Sequence, residues 1–218
     1  MLTATQIDYN PATHTSRAPD GRDVPHVTHI LTETRLATDF EQLLARGGRA
    51  AETIEQARLR GTAVHADCHA YDDGDLDWGT VHPVVLPYLN AWIRCCEEKG
   101  LVPIAHARER QVFSATHWYT GFLDGLFAYG PLTVLVDLKT GDPDDAACHL
   151  QTMAYQLAWE AEHPDQRIDE RWAIQLVPQA RVPYRITNYT RRPGAHADLG
   201  KWLAALCTFN EQPGRRTV

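Results

Sequence analysis

The chain reads as an α/β domain, a small central mixed β-sheet flanked by helices. Three observations predict this. Two helix-length stretches, Ala50 to Tyr71 and Val81 to Lys99, precede the sheet, the first with apolar residues spaced by three and four and the second closed by Gly100. Three strand-like runs then follow one another closely between Ile104 and Leu138. From Leu132 to Val177 a strand, a helix-length segment and another strand succeed one another, which implies a right-handed crossover and parallel pairing of 132–138 with 172–177.

Taken in order, residues 5–30 predict a short hairpin and loop, with Asn10-Pro11 and Pro19-Asp20-Gly21 as turn signals. From Thr32 the pattern turns helical, with Phe40, Leu43 and Leu44 on one side, until Gly47-Gly48 breaks it. The helix over Ala50 to Tyr71 places Ile54, Ala57, Gly61, Val64 and Cys68 near one face. Asp72-Asp73-Gly74-Asp75 reads as a polar loop without the spacing or terminal Glu of a calcium loop. Strand alternation over Ile104 to Phe113 sets Ala105, Ala107, Glu109 and Gln111 against His106, Arg108, Arg110 and Val112. Trp118 to Tyr129 is the second strand, Gly130-Pro131 the turn, and Leu132 to Leu138 a β-branched central strand buried on both faces. Asp144 to Glu162 predicts a helix capped by an Asp, Val182 to Tyr189 an edge strand, Ala195 to Phe209 a closing helix, and EQPGRRTV a loose tail. The expected organisation is one domain over 1–218: an N-terminal hairpin and loop (1–31), a helical part (32–100), the sheet core with its crossover helix (101–190), and a C-terminal helix and tail (191–218).

Bulk properties narrow the function. At 218 residues, 44% hydrophobic and 22% charged, the composition is that of a soluble globular domain. No apolar run reaches the length of a membrane span, so no membrane partner is expected. MLTATQIDYNPATH lacks a basic segment followed by an apolar one, which leads to a cytoplasmic expectation. Cys68, Cys95, Cys96, Cys148 and Cys207 form no C-x-x-C pair and read as free thiols in a reducing compartment. The net charge of −7 argues against a large basic footprint for nucleic acid. Local basic pairs exist at Arg58/Arg60, Arg108/Arg110, Arg191/Arg192 and Arg215/Arg216, each read first as solvated surface. Only three of the 21 basic residues are lysine, and one of them, Lys139, stands two residues after Asp137.

That lysine belongs to the most informative stretch, Gly121 to Tyr155. Asp124 and Asp137 fall on neighbouring predicted strands joined by a tight turn. Two carboxylates brought together repel unless a cation joins them, and oxygen ligands of this kind suit Mg²⁺ or Mn²⁺. Residues i and i+2 of a strand share a face, so Lys139 can stand beside Asp137, where an ammonium orients water and stabilises charge on phosphorus. Gln151 and Tyr155 lie one turn apart on the helix that follows. These are the parts needed to hydrolyse a phosphodiester.

The ordered set resembles the PD-(D/E)XK nuclease superfamily in its RecB-like branch, which includes viral recombination exonucleases. The resemblance spans roughly His65 to Tyr155 and rests on Arg60-Gly61-Thr62-Ala63-Val64-His65, Glu109, Gly121 to Asp124, Asp137-Leu138-Lys139 and Gln151 to Tyr155. Pro25 to Leu31 is also similar to a segment seen near the start of virus-encoded members.

The resemblance implies a restriction-endonuclease-like core and a Mg²⁺- or Mn²⁺-dependent deoxyribonuclease acting in recombination or repair, exonucleolytic rather than site-specific. It implies a virus-encoded protein acting in the host cytoplasm. Asp124, Asp137, His65 and the Leu138 carbonyl would be metal ligands, Lys139 the catalytic lysine, and Glu109 either a supporting acid or an exposed strand residue. Gln151 and Tyr155 would hold the substrate strand or support the site. His69 completes an H-x-x-x-H pair with His65 but is read as incidental, since the Glu of the zinc-protease motif is absent. No iron–sulfur cluster is expected, because Cys207 stands alone near the C-terminus. DNA is the expected partner, with a recombinase, an annealing protein, a helicase or further copies of the chain as candidates to supply a basic channel. Three alternatives stand beside this reading: a non-catalytic nucleic-acid-binding subunit on the same fold, a nuclease active only with a partner, and a hydrolase of a smaller phosphoester.

Overall fold

A computed structural model of the chain describes residues 2–11, 13–45, 47–143 and 145–212. Asp144, the first residue of the expected crossover helix, the side chain of Phe40 and the tail from residue 213, with Arg215 and Arg216, lie outside the described residues.

A five-stranded mixed sheet forms the centre, and three short strands near the N-terminus are not part of it. Those three, β1 (Asp8–Asn10), β2 (Thr15–Arg17) and β3 (Asp23–Val24), make a small antiparallel sheet of their own. The central sheet contains β4 (Leu101–Ser114), β5 (Tyr119–Tyr129), β6 (Leu132–Lys139), β7 (Glu170–Leu176) and β8 (Tyr184–Asn188), in that spatial order. Neighbours pair antiparallel except β6 and β7, which run parallel with Val134 opposite Glu170 and Lys139 opposite Gln175. The parallel pair is the crossover expected from sequence, made through α5 (Asp145–Glu162).

Helices cover both faces. On one, α1 (Val27–Glu33), α5 and α6 (Asp198–Asn210) share a core with Leu123, Leu126 and Leu135 of the sheet. On the other, α3 (Gly48–Asp73) and α4 (Leu86–Lys99) pack Val64, Cys68, Leu89 and Trp92 against Phe127, Val134, Val136 and Leu138. Val134 to Leu138 are therefore buried from both sides, as the run TVLVDL predicts. The short helix α2 (Phe40–Ala45) precedes α3.

Four sequence expectations are corrected. The segment read as loop up to residue 31 ends in α1, whose Val27, Ile30 and Leu31 are fully buried, so the division at 31/32 falls inside a helix. Each of these side chains contributes about 1.5–3 kcal/mol by burial, and that tertiary gain makes a two-turn helix stable. Helix α3 continues through Asp72 and Asp73, which were read as loop. Helix α4 starts at Leu86 rather than Val81, because Pro87 sits in its first turn, where a missing N–H costs nothing; it ends at Gly100, whose φ of +67° is free only to glycine. In β4 the simple alternation fails. His106 and Glu109 adopt left-handed backbone, at φ +62° and +43°, and the register with β5 shifts between Pro103 and Arg108. Ala107 and Val112, expected on opposite faces, consequently share one core.

Candidate metal and catalytic site

The strand register sets three acids abreast. The pairs Arg108–Gly125 and Arg110–Leu123 bracket Glu109 and Asp124 on β4 and β5. The β5–β6 ladder ends at Gly125–Val136, and the next residues on the two strands are Asp124 and Asp137. Past that point the Leu138 N–H is taken by the Asp124 side chain, donating to Oδ2 at 2.7 Å. The carboxylate thus stands in for a strand partner and is fixed by β6 itself.

The two aspartates each face a basic side chain. Asp124 Oδ1 lies 3.5 Å from Nδ1 of His65 on α3, and Asp137 Oδ2 lies 2.8 Å from Lys139 Nζ. Burial works to raise the pKa of Asp124, but the His65 and Lys139 charges and the Leu138 N–H together hold it below the usual carboxylate range. Asp137 goes the other way: burial, helped by the Asp124 charge, outweighs Lys139 and lifts it. Burial disfavours the Lys139 ammonium, yet Asp137 and Asp124 hold its pKa above the ordinary lysine value. His65 is likewise desolvated, and Asp124 more than compensates, raising the histidine.

Gln151 and Tyr155 of α5 close the other side. Gln151 Nε2 donates to the Tyr155 hydroxyl at 3.0 Å, and Tyr155 is buried. Its ring occupies the space beside Gly121, at the head of the stretch leading to Asp124. Tyr155 is a packing and positioning residue at this site, with Gln151 more open beside it.

His69, read from sequence as incidental, is placed against Glu109, with Nδ1 2.9 Å from Oε1. His69 beside it outweighs partial burial and keeps the Glu109 pKa below the usual value. Among the described residues, the set of His, Cys, Asp and Glu whose ligand atoms converge within 4.8 Å is His65, His69 and Glu109. Asp124 and Asp137 sit next to this set without joining its mutual convergence, Asp124 facing His65 of the set and Asp137 paired with Lys139. The H-x-x-x-H spacing was the signal for His69; its partner depended on the direction of Glu109, which β4 sets by an irregularity.

Asp72 was also missed. It accepts a hydrogen bond from Trp92 Nε1 at 3.0 Å, and burial pushes its pKa up to about 6. Arg108 is tied to the same helix end, by Asp73 and by the Asp72 carbonyl at 3.0 Å. Two further basic pairs among the described residues are also engaged: Arg58 with Glu55, Arg191 with Glu170, Arg192 with Asp198, and Arg60 over the Tyr88 ring. No helix among the described residues is long and apolar enough to cross a membrane. The sequence matches no protein-family model and no curated protein.

Proposed function

We propose that the protein is a divalent-metal-dependent deoxyribonuclease, an exonuclease by preference, on a restriction-endonuclease-like core. The observation that carries the reading is the pairing at the parting ends of β5 and β6. Asp124 binds the Leu138 N–H and faces His65, while Asp137 holds Lys139 one strand away.

The residues fit a hard divalent cation. The Asp124 carboxylate raises the cost of ionising the buried Asp137 beside it, and Asp137 Oδ2, though paired with the Lys139 ammonium, has no aligned hydrogen bond. A cation held by Asp124, Asp137, His65 and the Leu138 carbonyl would relieve both. When bound, Mg²⁺ or Mn²⁺ supplies Lewis acidity at the phosphoryl oxygen.

The chain's own residues do the rest. Lys139, kept protonated by Asp137, stabilises negative charge as it develops on the phosphoryl oxygens. Asp124, fixed by the Leu138 amide, holds its geometry without reorganising. Gln151, anchored on Tyr155, stands where a substrate strand crosses the end of the sheet. Glu109 supports the site from β4.

One observation favours the partner-dependent variant of this reading. Among the described residues, Arg58, Arg108, Arg191 and Arg192, four members of the basic pairs in the sequence, are bound to acids, in a chain whose net charge is −7. DNA binding by one chain alone is then weak, and a partner or further copies would supply the positive channel.

The test is digestion of end-labelled linear and circular DNA, single- and double-stranded, with Mg²⁺, Mn²⁺ or EDTA, alongside Lys139→Ala. Metal-dependent loss of linear DNA, abolished in the variant, is the expected result. Cleavage that survives Lys139→Ala overturns the assignment of the site. A folded protein inert with every metal points to the partner-dependent or non-catalytic alternative.

A further inference from the structure

Glu109 is conformationally anomalous for a strand residue. Its φ of +43° places a side-chain-bearing residue in left-handed backbone, which costs on the order of 1–3 kcal/mol and persists only where surrounding structure holds it. Opposite it, His69 has a side chain only 13% exposed, and its buried Nδ1 makes no aligned hydrogen bond even though Glu109 Oε1 stands 2.9 Å away. One turn earlier on the same face of α3 is His65, and one ligand atom from each of the three residues lies within 4.8 Å of the others. Ligands about 2.0–2.2 Å from a tetrahedral metal stand about 3.3 Å from one another, inside the range this trio spans. The three line a cleft of about 480 Å³ whose remaining walls are the small residues Gly61, Thr62 and Ala66.

We propose that His65, His69 and Glu109 form a binding site for a borderline transition-metal cation of the Zn²⁺ class, which adjoins the Asp124–Asp137 pair and competes with it for His65. Two imidazoles and one carboxylate suit zinc, cobalt or iron, whereas Mg²⁺ prefers oxygen ligands and near-octahedral geometry. Three protein ligands on an open cleft leave a coordination position facing solvent, the arrangement of a reactive or exchangeable site rather than a closed structural one. The strained backbone at Glu109 has a role here, since it turns the carboxylate toward α3. The alignment that His69 and Glu109 lack with each other is what two ligands of a third body show. His65 is shared with Asp124, 3.5 Å from its Nδ1, so filling this site draws His65 away from that carboxylate. The inference stands whether or not the chain cleaves DNA.

The test is titration of the full-length, metal-stripped protein with Co²⁺, read by the visible absorption of the low-symmetry ion, and with Zn²⁺ by calorimetry in excess Mg²⁺. A Cys207→Ser background removes the one exposed thiol among the described residues. One equivalent should bind, and Glu109→Gln and His69→Gln should each weaken it at least about tenfold, the scale expected for damage to a metal site. Glu109 is a largely exposed side chain, so its variant reports even if the more buried His69 variant folds poorly. Asp124→Asn and Asp137→Asn should keep the cobalt spectrum. Unchanged binding in Glu109→Gln, or a spectrum lost in Asp137→Asn and kept in Glu109→Gln, overturns the proposal and assigns the cation to the carboxylate pair.

Discussion

The Tyr155 ring fills the space that a side chain on Gly121 would need: a Cβ built there comes within 2.4 Å of Tyr155 Cε1. The glycine is therefore set by helix α5 packing on β5, and its backbone angle has no part in it. Gly121→Ala should destabilise the fold by about 1–3 kcal/mol, the usual cost of overpacking. Measured by urea denaturation, most of that loss should disappear in Gly121→Ala/Tyr155→Leu relative to Tyr155→Leu alone. Additive losses in the double variant would mean that the two residues are not coupled.

Asp72 yields a prediction about pH. Its pKa is raised from 3.8 to about 6, chiefly by burial, so the folded state binds a proton that the unfolded state has released between those values. Stability from this group is thus present below about pH 4 and lost as pH rises through about 6, the reverse of an ordinary ion-paired aspartate. A gap of that size sets an upper bound near 3 kcal/mol, reduced by the solvent that reaches this side chain. Asp72→Asn keeps an acceptor for Trp92 Nε1 and should match the parent at pH 4 while exceeding its stability by about 1–3 kcal/mol at pH 8. Chemical denaturation at the two pH values decides it; a variant less stable at pH 8 would show that the ionised carboxylate is needed there.

Legibility in the sequence followed the range of the forces involved. The β5–β6 hairpin, the crossover through α5 and the places of Asp124, Asp137 and Lys139 rest on local patterns: apolar runs, a Gly-Pro turn, one helical segment. Helix α1 was not legible because its two turns are stabilised by burial against α5 and α6, far along the chain. The irregularity of β4 was hidden because Glu109 is not a residue type that favours left-handed backbone, and a single His such as His106 is too weak a signal to mark it within a strand pattern. With it went the link between Glu109 and His69, since regular alternation does not say which helix a carboxylate will meet. The arginine pairs read as solvated surface because the acids that bind Arg108 and Arg192 are set by tertiary packing or by the start of another helix.

The buried charge cluster beneath α6 should be costly to break. Asp198 is fully buried in the first turn of α6, and Arg171 on β7 donates to its Oδ2 at 2.9 Å and to the His149 carbonyl at 2.8 Å. Burial lowers the Arg171 pKa even with Asp198 beside it, so desolvation dominates there. Asp198→Ala leaves that guanidinium without its counter-charge and should cost about 3–5 kcal/mol. Arg171→Met/Asp198→Leu should cost less than Asp198→Ala alone, because the buried Arg171 charge goes with its acid and the part-exposed Arg192 is the cation left without that partner. Thermal and urea melts of the three proteins test the order; a double variant weaker than the single would show that the cluster holds α6 by specific hydrogen bonds.

His65 connects protonation with metal binding. Its burial is outweighed by Asp124, so its pKa stands above the ordinary histidine value, and near pH 6 the ring is charged and paired with that carboxylate. In the metal-free protein this pairing adds stability below the unfolded-state value of about 6.5 and is lost as pH rises through the higher folded value. Cation binding has the opposite slope, because a ligating imidazole must first lose its proton. The two trends add in the difference: the rise in melting temperature produced by saturating Mg²⁺ should be small at pH 6 and larger at pH 8. Mg²⁺ is the cation to use, since a nitrogen-rich set such as His65, His69 and Glu109 competes poorly for it. His65→Gln should flatten the dependence of the Mg²⁺ increment on pH while leaving some increment from Asp124 and Asp137. An increment equal at both pH values in the parent protein would remove His65 from the Mg²⁺ ligand set and leave the ion to the carboxylates alone.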